Sequence, residues 1–285
     1  MKALKHWIAD RYSAIFSPAR PAGNSLPEAY RDNLRFAHLK VQDPENLSSE
    51  ASKHLAVFVH IPKAGGTSMK NLLLFNYARL YQDHHPRLNN LRESIGNIGD
   101  IRALSAHAPM GYEKSLIDEY SALVPAGGTF DIRDTKILRF SITRDPVDRL
   151  VSTYNFVRTF PAHALHQRAR DLDPDDFFAL LASERPREFS NLQCFFLSGA
   201  DPTFVAARES MERNFAKVVD ISAQSKLIDY LVQSLGLNRP PGDLPRNASP
   251  NQIRRDDLTP KTLEQLLAAN QEDLRLADFV QARDA

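Results

Sequence analysis

Two short segments of the sequence combine cations, hydroxyls and glycines in a way that suits anion binding. Residues 62–68 read Pro-Lys-Ala-Gly-Gly-Thr-Ser, and residues 144–152 read Arg-Asp-Pro-Val-Asp-Arg-Leu-Val-Ser. Adjacent glycines allow a tight turn and a close approach of the backbone to a ligand. The free amides and aligned dipoles at the start of a helix attract negative charge. Both segments therefore predict contacts to phosphate-like groups.

The first segment predicts an anion-binding turn that opens a helix. Gly65 and Gly66 make the turn, and the amides of Gly66, Thr67 and Ser68 begin the helix. Lys63 adds a positive point charge, and the two hydroxyls add hydrogen-bond donors. The alternative is an ordinary helix cap beside a solvated lysine. Because the whole string follows a buried strand, the sequence favours the anion site.

The second segment places an arginine before a helix and a serine on it. The planar guanidinium of Arg144 offers a fork of donors that suits phosphate oxygens. Ser152 falls in the second turn of the following helix and adds a hydroxyl. The alternative is that Arg144 forms an ion pair with Asp145 or Asp148, while Ser152 only packs. The two segments together are more specific than either alone.

The elements that must position these segments alternate along the chain. Apolar, β-rich runs predict strands at 55–61, 101–106, 136–143 and 216–221. Helical patterns predict helices at 69–81, 147–157 and 225–235. Asp145 suits the N-cap of the second of these and Pro146 its first helical position, and further helices start at Pro174 behind Asp173 and at Pro260 behind Thr259. This alternation predicts an α/β fold with a P-loop-like, mostly parallel sheet flanked by helices on both faces. Ligands of such sheets bind outside the carboxyl ends of the strands, where both segments fall.

Composition and the lengths of the apolar runs limit the partners and the domain organisation that the chain can have. The chain has 285 residues, and 36 basic against 35 acidic side chains give a net charge of +1, which argues against nucleic acid as a partner. No apolar run approaches the roughly 20 residues that a transmembrane helix needs. A weak amphipathic helix at the N-terminus leaves peripheral membrane contact open. We expect an irregular lead-in at 1–54, a single domain at 55–285 and a reducing, cytoplasmic location.

Other reactive side chains have simpler interpretations. Cys194 is the only cysteine, and its neighbouring phenylalanines predict a buried, inert thiol. The histidine pairs at 84–85 and at His163 and His166 lack the further ligands that would complete a metal site, so we expect surface histidines and no metal.

Residues 60–68, His-Ile-Pro-Lys-Ala-Gly-Gly-Thr-Ser, resemble the 5′-phosphosulfate loop of carbohydrate sulfotransferases of family 2. Ala64 stands where that family often has Thr. Residues 105–111 look like its Gly-His-Phe-x-x-Gly segment, and residues 191–199 look like its Asn-Leu-Gln stretch, with Phe195 in place of a frequent Arg. The lysine precedes the glycines, whereas the Walker loop of nucleoside triphosphatases has it after them. An ATP-dependent small-molecule kinase is therefore the less favoured alternative.

The resemblance implies a sulfotransferase that uses 3′-phosphoadenosine 5′-phosphosulfate and a carbohydrate or glycolipid acceptor. Its donor-binding residues would be Lys63, Ala64, Gly65, Gly66, Thr67 and Ser68 at the 5′ end, and Arg144 and Ser152 at the 3′-phosphate. Lys63 would also supply charge to the leaving oxygen. His107 is our choice of general base, because an imidazole titrates near neutral pH, and His60 is its competitor. A nucleotide-binding module without turnover remains a further alternative.

Overall fold

The computed structural model describes residues 53–77, 80–83, 102–123, 135–239 and 252–284. The described strands form one five-stranded sheet in the order β2-β3-β1-β4-β5, and every neighbouring pair is parallel. The strands are β1 (His54–Val59), β2 (Leu80–Asp83), β3 (Ala103–Ala106), β4 (Lys136–Thr143) and β5 (Lys217–Asp220). The predicted α/β class and parallel sheet are confirmed.

Eleven α-helices accompany the sheet within the described residues. They are α1 (Gly66–Asn76), α2 (Tyr112–Leu123), α3 (Pro146–Thr159), α4 (His166–Asp171), α5 (Pro174–Glu184), α6 (Pro186–Phe189), α7 (Leu192–Ser198), α8 (Phe204–Asn214), α9 (Gln224–Leu235), α10 (Pro260–Ala269) and α11 (Gln271–Asp284). Two 3₁₀ turns lie at Ile221–Ala223 and Arg255–Asp257. None of these helices is both long and apolar enough to cross a membrane.

Strand β1 is buried on both faces, as its unbroken apolar run predicts. Its side chains alternate between two hydrophobic clusters. Leu55, Val57 and Val59 pack with residues of α7, α8 and α11, whereas Ala56 and Phe58 pack with residues of α1 and α9. Helices therefore cover both faces of the sheet. A third cluster joins α3, α4, α5 and α10 beside the sheet.

The predicted helix starts are confirmed where a capping residue precedes a proline. The Asp145 carboxylate accepts a hydrogen bond from the amide of Asp148, and Pro146 opens α3. Asp173 and Thr259 cap α5 and α10 in the same way, each before a proline. A side-chain acceptor at the cap and a fixed proline φ make these starts readable from sequence.

The helix predicted to run to residue 81 ends earlier than expected, whereas its start at Gly66 is the one that the predicted turn indicates. Helix α1 begins at Gly66 and ends at Asn76, and Leu80 starts β2. The amide side chain of Asn76 donates to the carbonyls of Leu72 and Asn238, at 2.9 and 2.8 Å. Tyr77 then takes an extended conformation, with φ −110° and ψ 123°. The chain therefore leaves the helix although Leu80 and Tyr81 continue its apolar spacing.

The other predicted boundaries need smaller corrections. Of the expected lead-in at 1–54, residues 1–52 lie outside the described residues, and His54 already belongs to β1. The described part of the strand predicted at 101–106 begins at Ala103. The predicted β4 agrees with the structure at both ends.

The chain changes direction across the sheet at β1. After β1 it runs to β2 and β3 on one side, and after β4 it runs to β5 on the other. The connections that leave the neighbouring strands β1 and β4 therefore diverge. A crevice at such a switch point is where parallel α/β sheets bind ligands. Both predicted anion-binding segments border this crevice, since one follows β1 and the other follows β4.

Candidate active site

Three neighbouring strands deliver the predicted site residues to one edge of the sheet. Val59, the last residue of β1, lies opposite Ala106 of β3 and Ser141 of β4. The amide of His60 also bonds the Ala106 carbonyl, at 3.2 Å. His60 and His107 are therefore the first residues beyond adjacent strand ends. Arg144 follows directly after β4, so the side chains chosen from sequence share one rim.

The turn after β1 presents the first residues of α1 to this rim. Lys63 and Gly65 take positive φ angles of 66° and 89°, and the helix begins at Gly66. The first amides of a helix have no partner within it, and the N-cap glycine has no side chain to offer them one. Thr67 and Ser68 lie half-buried in this first turn. The turn can thus bind an anion through its backbone.

The two glycines are needed for different reasons. A Cβ at Gly65 would come within 2.9 Å of Cδ1 of Ile221, in addition to the strain of its positive φ. A Cβ at Gly66 would come within 1.8 Å of Nε2 of His60. The carbonyl of Gly65 accepts a bond from the Gln224 side chain at 3.0 Å. The turn therefore packs between the segment after β5 and the imidazole of His60.

Ala64 contributes its side chain to the packing beneath the turn. This side chain is fully buried in the hydrophobic cluster on one face of the sheet. Its amide donates to the carbonyl of Ile61 at 3.3 Å. A contact from Ala64 to a nucleotide, as the resemblance implies, would therefore come from its backbone.

Lys63 has an unusual environment for an ammonium group. Its Nζ lies 4.1 Å from the ring centroid of Phe156, on α3, which is a cation–π distance. Burial and then the nearby charge of Arg144 lower the pKa of Lys63 to about 8. Two cations held close together in a shielded place favour a bound anion between them.

Arg144 connects the two anion-binding segments directly. Its guanidinium donates to the carbonyl of Lys63, at 3.4 Å. The carboxylate of Asp145 does not form the ion pair with Arg144 that the sequence left open. Instead, it caps α3 and contacts Arg255 at 3.3 Å. Ser152 lies half-buried one helical turn before Phe156, on the same face of α3 as the ring that contacts Lys63.

His60 and His107 contact each other instead of serving as separate alternatives. Their Nε2 atoms lie 3.4 Å apart, and their rings are 4.1 Å apart in an edge-to-face arrangement. The ring of Phe58 stacks on the His60 imidazole, with 5.1 Å between the two ring centroids. A nitrogen–nitrogen contact of this kind requires one donor and one acceptor. Sequence reasoning missed the pair, although His107 directly follows one predicted strand and His60 falls at the end of another.

Sequence reasoning also missed the polar residues beneath the site. Gln193 is fully buried and bonds the backbone of Arg144 twice. Asp273 and Arg149 are buried nearby, and the positive charge of Arg149 acts on the pKa of Asp273. The Asn-Leu-Gln stretch was noted as a resemblance, but its contacts join residues far apart in the chain. No local pattern reveals them.

Phe195, the position that departs from the frequent Arg, belongs to the hydrophobic core. The guanidinium of Arg187 lies 4.6 Å from its ring centroid, so a cation still reaches this part of the molecule.

The cysteine and the histidine pairs named in the sequence analysis have the following surroundings. Cys194 is buried as predicted, and burial followed by the charge of Asp273 raises its pKa. His163 and His166 are half-buried, not fully exposed. Burial lowers the pKa of His163 to about 4, and its Nδ1 accepts the amide of Leu165. His84 and His85 lie outside the described residues. Among the described residues, no cluster of three metal-ligating side chains occurs.

The fold and the site define a class of parallel α/β proteins that have a glycine turn and an arginine at the switch point of the sheet, an arrangement that suits phosphorylated ligands. Within that class, the chain belongs to the sulfotransferase family, whose family 2 model matches residues 50–279. The resemblance seen in the sequence is thereby confirmed, and membership supports a transferase with sulfuryl transfer as its general chemistry. A comparison with curated proteins gives no match to this chain.

Proposed function

We propose that the protein transfers a sulfuryl group from 3′-phosphoadenosine 5′-phosphosulfate to a hydroxyl group of a carbohydrate or glycolipid. The observation that carries this proposal is the contact between the guanidinium of Arg144 and the carbonyl of Lys63. It joins the turn suited to a 5′-phosphosulfate to the residue suited to a 3′-phosphate. The carbohydrate or glycolipid acceptor rests on the family resemblance of residues 60–68 and 105–111.

The donor would be bound at both of its charged ends. Lys63 and the amides at the start of α1 would hold the 5′-phosphosulfate, and Arg144 and Ser152 the 3′-phosphate. Segment 139–170 carries six Arg and two Asp, which gives it a net charge of +4 and suits a polyanionic donor. Preorganised charges of this kind stabilise the leaving phosphate most strongly where water is excluded.

The chemistry is a direct exchange of one sulfur–oxygen bond for another. The acceptor oxygen forms a bond to sulfur while the bond from sulfur to the 5′-phosphate oxygen breaks. The hydroxyl proton passes to His107, and the released phosphate keeps its negative charge beside Lys63. His60 holds the His107 ring from the side, at the 3.4 Å distance between their Nε2 atoms. The scheme balances without a metal ion.

Calorimetry followed by a transfer assay tests this proposal. We expect adenosine 3′,5′-bisphosphate to bind with micromolar affinity, whether or not magnesium is present. Radiolabelled sulfate should then move from the donor to a member of a glycan panel. Binding without transfer to any acceptor would favour the nucleotide-binding module, and magnesium-dependent binding of ATP would favour the kinase. Either outcome contradicts the proposal.

A further inference from the structure

We propose that Gln193 is a positioning residue that orients Arg144 toward the 3′-phosphate of the donor. The inference rests on the proposed function, since it assumes that Arg144 binds this phosphate. The two hydrogen bonds between the Gln193 side chain and Arg144 involve the backbone of the arginine. The effect of Gln193 on the nucleotide would therefore pass through the arginine.

The side-chain amide of Gln193 holds Arg144 on both sides of its Cα. The amide N–H of Arg144 donates to Oε1 of Gln193 at 2.9 Å, and Nε2 of Gln193 donates to the Arg144 carbonyl at 2.7 Å. These bonds engage the two peptide planes that flank the arginine, so they restrict both of its backbone dihedrals. The origin and direction of the Arg144 side chain are thereby fixed where β4 ends and α3 begins.

Gln193 is in turn held from the C-terminal helix. The carboxylate of Asp273 accepts the amides of Gln193 and Cys194, at 3.0 and 2.8 Å, and so caps α7 from a distant part of the chain. Asp273 and Gln193 are both fully buried. Because Gln193 is buried and both its side chain and its backbone amide are hydrogen-bonded, its side-chain amide has little freedom to rotate. A rigid path therefore runs from α11 through Gln193 to Arg144.

The fold contains two similar contacts that serve as comparisons. Asn76 bonds both backbone groups of Asn238, and Asn155 bonds both backbone groups of Ile253. We call such a side chain an amide clamp. Clamps of this kind stabilise loops, so the existence of the Gln193 clamp does not by itself indicate a role in binding. What distinguishes it is that the clamped residue is Arg144.

The test compares two ligands that differ only in the 3′-phosphate. Calorimetry gives the ratio of affinities for adenosine 3′,5′-bisphosphate and adenosine 5′-phosphate. Arg144→Ala sets the ratio without the arginine contact. We expect Gln193→Met to lower the wild-type ratio about tenfold, which corresponds to about 1.4 kcal/mol. Its affinity for adenosine 5′-phosphate should stay within about twofold, since the turn at 62–68 is untouched.

Asn76→Leu is the matched control, because it removes a buried clamp of the same kind away from the strand-end rim. We expect it to lower thermal stability as much as Gln193→Met does while leaving the affinity ratio unchanged. If Gln193→Met fails to fold, Gln193→Glu replaces it, since this substitution keeps the acceptor for the Arg144 amide and removes the donor to its carbonyl.

Each outcome separates this inference from the proposed function. A wild-type protein with no preference for the bisphosphate contradicts the donor assignment itself. A wild-type preference that is lost in Arg144→Ala but kept in the Gln193 variant overturns only the positioning role. An equal loss of affinity for both ligands, or a changed ratio in Asn76→Leu, likewise assigns Gln193 to general stability and overturns the inference.

Discussion

Lys63 shows how the surroundings of a single side chain prepare it for a bound anion. The ammonium is buried, lies over the ring of Phe156 and is close to the positive charge of Arg144. Burial reduces the competition of water for the Lys63 ammonium. Repulsion from the neighbouring cation raises the free energy of the site when no anion is bound. A donor whose 5′-phosphosulfate lies at Lys63 and whose 3′-phosphate lies at Arg144 would relieve both costs. This reasoning leads to two predictions about Lys63.

Removal of the charge should abolish most of the turnover. We expect Lys63→Ala to lower kcat by about 10²–10³-fold, the usual effect of losing one preorganised group at a developing charge. Sulfate-transfer kinetics measure the change, and circular dichroism checks the fold. Lys136→Ala is the control, because Lys136 is exposed at the opposite end of β4. Unchanged turnover in Lys63→Ala would refute the catalytic role.

The affinity for the donor should fall at alkaline pH. The pKa of Lys63 is lowered to about 8, so the free protein loses this charge above that value. An anionic donor prefers the charged form, and binding near pH 8 should therefore take up a proton. Calorimetry with adenosine 3′,5′-bisphosphate in buffers of different ionisation enthalpy measures this uptake. Lys63→Met should abolish it, and equal affinities at about pH 7 and about pH 9 would contradict the assignment.

The histidine pair predicts a specific change in the pH–rate profile. His107→Ala should remove the limb near neutral pH, because the profile reports the group that accepts the hydroxyl proton. His60→Gln should displace that limb without removing it, since His107 would remain but lose its imidazole partner. His54→Gln, at the opposite end of β1, serves as the control. A limb that survives in His107→Ala would identify another base.

At the scale of elements, the start of α1 requires glycine for reasons of space. Alanine normally stabilises a helix relative to glycine by about 0.5–1 kcal/mol. At Gly66, however, a Cβ would come within 1.8 Å of the His60 imidazole. We expect Gly66→Ala to displace His60, destabilise the protein and lower kcat more than tenfold. Thermal melts and transfer kinetics test both effects.

A glycine elsewhere provides the comparison for this prediction. Gly236 ends α9 with φ 64°, so Gly236→Ala should lower thermal stability through backbone strain. We expect its kcat to remain that of the wild-type protein. Equal kcat in the two glycine variants would remove the argument that Gly66 makes room for His60.

The sequence predicts elements whose signals are local. Strands β1 and β4 are short apolar runs, and Asp145 with Pro146 marks the start of α3, so these elements agree with the structure. Strand β2 was missed because Leu80 and Tyr81 keep the spacing of the preceding helix. The last residue of that helix, Asn76, bonds Asn238, and no local pattern indicates this contact across 162 residues.

The residues of the site likewise divide into those that a local sequence pattern identifies and those that depend on contacts between distant parts of the chain. Lys63, the glycines and Arg144 could be chosen from sequence, because each belongs to a short pattern beside a strand. The contact of His60 with His107 depends on strand order, and the clamp of Gln193 on Arg144 joins residues 49 positions apart. Ala64 was placed at the ligand because the pattern includes it, whereas packing buries its side chain.

At the scale of the molecule, a buried polar layer links the C-terminal helix to the site. Asp273 accepts two amides of α7, and Arg149 is buried close enough for its charge to act on Asp273. Asp273→Ala would leave both amides without their acceptor and Arg149 without that charge. We expect the free energy of unfolding to fall by about 1–3 kcal/mol for each buried amide that is left without its acceptor.

Urea unfolding measures this loss, and α11 offers its own control. Asp278 lies on the same helix but is exposed, so Asp278→Ala should change the unfolding free energy by less than about 0.5 kcal/mol. Similar effects of the two substitutions would show that the buried layer does not stabilise the fold as described.

A crystal structure with adenosine 3′,5′-bisphosphate bound tests most directly whether the segments at 62–68 and 144–152 bind the two ends of one nucleotide. The 5′-phosphate should lie on the amides of residues 65–68 beside Lys63, and the 3′-phosphate should contact Arg144 and Ser152. His107 should face the space beyond the 5′-phosphate, where the sulfuryl group would be. A nucleotide found elsewhere, or one whose 3′-phosphate avoids Arg144, would contradict the account.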